Sequence, residues 1–174
     1  MSINRDAIYE EVDAHITEKF GVGFKTSGQC CLYWMMLGIN YILANTGLRA
    51  IPQAGSVSWP IVAPELDDGV CATHFSMMWN TPREEAIGIG AAEVSESAVA
   101  LPEMHCWIAI PETGEIVDFS TLYLPRIAEK CGFQWRAPLP PRYLWTKARK
   151  LPERVFYEPN LSATKLAIQL GLTC

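Results

Sequence analysis

Two parts of the chain carry side chains whose type and spacing suit nucleophilic or acid–base chemistry. The first is MHCWIAIPETGEIVDFST, from Met104 to Thr121. Two apolar, alternating runs flank Pro111-Glu112-Thr113-Gly114, a turn composition, and the segment predicts a β-hairpin. Alternation puts Cys106, Ile108 and Ile110 on one face of the first strand and His105 and Trp107 on the other. A four-residue loop pairs Ile110 with Glu115, so facing residues have numbers that sum to 225. Asp118 then lies opposite Trp107 and diagonal to His105 on one face, where such diagonals are roughly 7–8 Å apart at the backbone. A loop with an odd residue count would send the two to opposite faces. An Asp beside a His fixes the imidazole tautomer and stabilises its charged form, which is the orienting half of a catalytic triad.

The missing element is a nucleophile. Thr26-Ser27-Gly28-Gln29-Cys30-Cys31 stands where a loop enters an apolar helix. A thiol there meets unpaired backbone N–H groups and the positive end of the helix dipole. Both lower its pKa, as does a neighbouring imidazolium. The same N–H groups can stabilise a developing oxyanion.

Gly28-Gln29-Cys30 opening an apolar helix resembles the Gly-Gln-Cys-Trp of transglutaminases. The later His-x-Trp on a strand, a turn and an Asp on the next strand resemble the transglutaminase-like part of the papain-like superfamily, and arylamine N-acetyltransferases share the Cys, His, Asp order. The resemblance implies Cys30 as nucleophile, His105 as base and Asp118 as orienter, on a papain/transglutaminase-like core. It covers about Thr26 to Asn45 and Met104 to Thr121. Cys31 stands where transglutaminases carry Trp, Phe24 stands where papain-type peptidases carry an oxyanion Gln, and the acetyltransferase Arg-Gly-Gly-x-Cys is absent. The triad is carried over and a particular substrate is not. The implied activity is acyl transfer from an amide or thioester through a thioester acyl-enzyme, with a peptide, protein or small molecule as substrate and no cofactor or metal. Gln29 and Trp107 are the nearest candidates for oxyanion or substrate contacts.

Structural readings stand beside these. Cys31 reads as a buried helix residue, since free cysteine is among the most buried types. His74, on a strand with Phe75, Met77 and Trp79, is a rival base, but no Asp follows it on a paired strand, so it reads as structural or pocket-lining. His15 falls on the exposed side of the first helix. A vicinal Cys30–Cys31 disulfide requires unusual backbone geometry and ranks last. A function of another class also fits: a binding module that keeps the fold and lacks the catalyst.

The elements that must position these groups read as helices first, then mostly antiparallel strands, an α+β order. A helix is expected from about Arg5 to Lys19, with Ile8, Val12, Ile16 and Phe20 as its stripe. A second should run from Ser27–Cys30 to about Asn45, apolar almost all round and therefore central. Strands are expected at Leu48–Gln53, Val70–Trp79, Met104–Ile110, Glu115–Phe119, Tyr143–Thr146 and Arg154–Tyr157, with helices at Pro125–Lys130 and Ser162–Leu170. Ala86–Ala100, rich in Ala, Gly and Ser, resists assignment.

The 174 residues favour one domain spanning 1–174. A net charge of -5 leaves no electrostatic footprint for nucleic acid. No stretch is apolar enough for a membrane span. The charged, helical N-terminus MSINRDAIYEEVDAH has no apolar signal region, which points to a cytoplasmic protein. Six cysteines with no C-x-x-C pair fit reduced thiols rather than a disulfide framework or zinc site.

Overall fold

The hairpin and the cysteine-bearing helix meet on one curved sheet. The computed structural model describes residues 3–26, 30–63, 73–79 and 104–172. Among them are four α-helices, α1 (Arg5–Phe20), α2 (Cys30–Thr46), α3 (Leu124–Lys130) and α4 (Leu161–Leu172). Six strands form one antiparallel sheet: β1 (Ile51–Pro60), β2 (His74–Met77), β3 (His105–Ile110), β4 (Glu115–Asp118), β5 (Leu144–Lys147) and β6 (Phe156–Pro159). The fold is α+β.

Local chemistry sets the helix ends. Asn4 caps α1 by accepting the Ala7 N–H on its side chain, and Gly21, at φ 77°, turns the chain out while its N–H closes on Thr17. The α1 stripe Ile8, Val12 and Ile16 is buried as expected, and Phe20 packs at its margin. The buried positions of α2 include Cys31, Trp34, Met35, Gly38 and Ile42. That stripe lies against the sheet. A Cβ on Gly38 would stand 2.6 Å from Ile108 Cδ1 and 2.7 Å from the Phe119 ring, so Gly38 lies on the face of the helix that packs on β3 and on the residue after β4.

The hairpin forms in the expected register. Ile108 pairs with Val117, Ala109 with Ile116 and Ile110 with Glu115. Gly114, at φ 65°, closes the four-residue turn with its N–H on the Ile110 carbonyl. Cys106, Ile108 and Ile110 join the core under the helices, and Trp107 joins a second core on the opposite face with Val57, Trp59, Ile116, Leu124 and Leu144.

β1 is longer than its sequence suggested, running on to Pro60. Residues 51–55 pair with β3 and residues 57–60 with β2, in succession along one edge, while residues 55–58 pair with β6 along the other. Gly55 is pinned between His105 and Pro159, and a Cβ there would fall 2.1 Å from the Glu158 carbonyl oxygen. No helix among the described residues is long and apolar enough to cross a membrane.

Candidate active site

The site assembles where β3 begins, β4 ends and α2 starts. His105, the first residue of β3, and Asp118, the last of β4, are each 1% exposed. His105 Nε2 lies 2.6 Å from Asp118 Oδ2. Tyr157 Oη, from β6, donates to the same carboxylate oxygen at 2.6 Å. Asp118 Oδ1 accepts the Ser120 N–H at 2.8 Å and the Ser120 hydroxyl at 2.7 Å. Four donors therefore saturate a carboxylate that has about four lone-pair sites. Burial works to raise the Asp118 pKa, but the His105 charge and these hydrogen bonds outweigh it and hold the group below its ordinary value.

The imidazole shows the complementary behaviour. Burial alone would lower its pKa, yet the Asp118 charge and hydrogen bond, with the Cys31 thiol, raise it to about 10. Its ring stacks on Trp107, with centroids 6.4 Å apart, and Tyr157 meets it edge-on at 6.2 Å. Trp107 is itself 1% exposed and its Nε1–H donates to Gln53 Oε1 at 2.9 Å. It lies in the core beside the imidazole. With Nε2 committed to Asp118, Nδ1 is the other ring nitrogen, and it is buried with no hydrogen-bond partner among the described residues.

Of the two α2 thiols, Cys31 is the one whose ionisation is tied to His105. The nearby Cys106 thiol and the His105 imidazole outweigh its burial and bring its pKa well below the ordinary value. Cys30 is different. Burial, then the nearby Cys31 and Asp118 charges, push its thiol strongly up. The sequence points to Cys30 as the nucleophile; in the structure His105 acts on the Cys31 thiol, which makes Cys31 a second candidate beside it.

The reason is helical phase. Cys31 precedes Gly38 by seven residues, about two turns at 3.6 residues per turn, so both point at the sheet. Cys30 points about 100° away from that direction. Both sit in the first turn of α2, where backbone N–H groups have no partner within the helix. Gly38 inside an otherwise bulky helix was the available signal, because it marks the face packed tightly on the Ile108 and Phe119 side chains.

Of the other candidates, Gln29 lies outside the described residues, as does Ala86–Ala100. His74 Nδ1 is 2.9 Å from Thr73 Oγ1, and His74 lines a groove with Ser58, Ser76 and Phe156. His15 is exposed, 3.2 Å from the Tyr41 hydroxyl. Tyr157 and Ser120 went unread because neither belongs to the hairpin pattern: Tyr157 arrives from a strand 39 residues beyond Asp118. Cys30, Cys31, Cys106 and Cys131 form no disulfide among the described residues. Among the described residues no group of three His, Cys, Asp or Glu side chains could hold a metal ion. No protein-family model, curated protein or solved structure matches this chain.

Proposed function

We propose that the chain is a cysteine-nucleophile acyl-transfer enzyme, built on a core that resembles the papain/transglutaminase-like one, and that Cys31, His105 and Asp118 are its triad. One observation carries this reading: a buried imidazole, held on Nε2 by a saturated, buried carboxylate, lowers the pKa of a thiol in the first turn of a buried helix. The perturbations match a thiolate–imidazolium pair, in which the nucleophile is ionised before substrate arrives.

In this reading the Cys31 thiolate attacks an amide or thioester carbonyl. The oxyanion forms near the first-turn N–H groups of α2. His105, already protonated, gives its proton to the leaving group, and a thioester acyl-enzyme remains. His105, now neutral, takes a proton from the water or amine that resolves the acyl-enzyme. Asp118 stays ionised throughout and keeps the ring in place, with Tyr157 and Ser120 keeping Asp118 in place.

The test uses a small activated acyl donor, p-nitrophenyl acetate, with the full chain. A burst of nitrophenolate is expected, with one acetyl group on the peptide containing Cys31. Cys31→Ala and His105→Ala should abolish the burst, and Cys30→Ala should keep it. Acetylation confined to the exposed Cys131, or a burst that survives Cys31→Ala, would overturn the assignment and leave the binding-module reading in its place.

A further inference from the structure

The proposed chemistry needs the first turn of α2 at a fixed place beside the His105–Asp118 pair, and one carboxylate outside that pair bears on both. Asp13, on α1, accepts on its Oδ1 from Lys25 Nζ at 2.5 Å and from Tyr123 Oη at 3.3 Å. Lys25 lies in the short 3₁₀ turn Val22–Thr26, and its side chain is only 7% exposed. An ammonium taken out of water needs its counter-charge, so Asp13 fixes where this turn can lie.

Neither grip stops at its hydrogen bond. Phe24, beside Lys25, meets the Tyr33 ring edge-on at 5.1 Å, and Phe20 of α1 stacks on Phe24 at 4.5 Å. Tyr123 stacks on Trp34 at 6.0 Å, and Tyr9 of α1 stacks on the same indole at 5.6 Å. Tyr33 and Trp34 follow Cys31 by two and three residues and point about 100° apart around α2, so the start of that helix is gripped from two directions. Tyr123 also closes the turn after Asp118. Its N–H donates to the Ser120 carbonyl at 3.0 Å, and Ser120 is the residue whose N–H and hydroxyl hold Asp118. A buried ion pair is a poor source of net stability, because apolar residues of similar volume often serve as well or better.

We propose that Asp13 is a positioning residue for the acyl transfer: through Lys25 and Tyr123 it sets the first turn of α2 against His105 and Asp118, and it serves rate rather than stability. The inference rests on the acyl-transfer reading of the site.

The experiment compares the full chain with two variants. Asp13→Leu/Lys25→Met replaces the ion pair by apolar groups and leaves no stranded charge. Tyr123→Phe removes only the hydroxyl on Asp13 and keeps the ring. Each is read for its unfolding midpoint in urea, the rate constant of the nitrophenolate burst with p-nitrophenyl acetate, and the pH midpoint of iodoacetamide alkylation. The double variant should unfold at or above the parent's midpoint. Its burst should slow about 10–100-fold, the scale on which a displacement of up to about 1 Å acts. Its alkylation midpoint should move towards the ordinary 8.5. Tyr123→Phe should unfold close to the parent's midpoint, with a smaller loss in the same direction. A folded variant of either kind that acylates and alkylates as the parent does overturns the proposal, because the contact is then structural only. A double variant that unfolds well before the parent overturns it as well, because the pair then serves stability. Failure of the underlying reading looks different: the parent itself would give no burst, and this inference would fall with it. A parent burst that both variants reproduce removes the present inference alone.

Discussion

Replacing Asp118 by Asn isolates the charge on which the proposed site depends. Asn is nearly the same size, and its side-chain oxygen still accepts hydrogen bonds from two of the four present donors. What disappears is the negative charge that keeps a fully buried imidazole protonated up to about pH 10. Without it, burial is left to act, and the His105 pKa should fall to 6.5 or below. Above that pH the Cys31 thiolate would face a neutral ring. Opposite unit charges about 4 Å apart interact by roughly 4 kcal/mol at an effective dielectric constant of 20. At about 1.4 kcal/mol per pKa unit, the thiol midpoint should rise by about three pH units. Below both midpoints the thiolate fraction then drops about a thousandfold. The assay is iodoacetamide alkylation against pH, each curve scaled to its own plateau. A thiolate of lower pKa is intrinsically a weaker nucleophile, so the midpoint and not the rate reports ionisation. Midpoints of parent and Asp118→Asn that agree within about half a pH unit would refute the coupling. In that event the Cys106 contact alone holds the thiol down, and Cys106→Ala would raise the midpoint where Asp118→Asn had not.

Other expectations follow from the same geometry. Tyr157→Phe removes a 2.6 Å donor from a buried carboxylate, which should cost about 1.5–3 kcal/mol in denaturant unfolding. Gly38→Ala gains about 1 kcal/mol of helix propensity but forces a methyl into Ile108 and Phe119; overpacking of about 1–3 kcal/mol should leave a net loss, and α2 should lift so that the Cys31 midpoint moves back towards the ordinary 8.5. The His105–Asp118 pair also makes stability depend on pH. The folded His105 pKa is raised, so its contribution is full below about 6.5 and lost as pH rises through about 10. The folded Asp118 pKa is lowered from 3.8, so its contribution is present above that value and lost as pH falls further. The stability difference between parent and Asp118→Asn should therefore be greatest between about pH 4 and 6.5 and shrink towards pH 10, as read by unfolding at a series of pH values.

The hairpin was legible because everything that sets its register is local: the alternation of each strand and a four-residue turn closed by Gly114. That is enough to bring His105 to Asp118. The helices were legible for the same reason, since the α1 stripe and the apolar run of α2 declare themselves within a few turns. The choice between Cys30 and Cys31 is not local. It depends on which side of α2 meets the sheet, and the motif at the start of the helix says nothing of that, whereas Gly38, two turns on, does. β1 runs past the expected Leu48–Gln53 and through Gly55, a residue that weakens a strand on local grounds. Gly55 is the place where β1, β3 and the start of α4's approach are squeezed together, with the Glu158 carbonyl where a side chain would be. Tyr157 could not be read at all, since its partner comes from pairing between β1 and β6 across most of the chain.

That long-range clamping of β1 has a consequence for how the protein is made. Ala54 is held on both its N–H and its carbonyl by Thr164, 110 residues later, and residues 55–58 of β1 wait for β6 along one edge. Pairings at such separation incur loop-closure entropy early and are rewarded late, which places the domain among slow folders. During that interval α2 and the hairpin can already be formed while the β1 edge is open and the thiols at Cys30, Cys31 and Cys106 lack their final cover. Edge-to-edge association and intermolecular disulfides are then hazards of the folding chain. Refolding yield should accordingly fall with protein concentration and recover with reductant, although the finished molecule buries all three sulfurs.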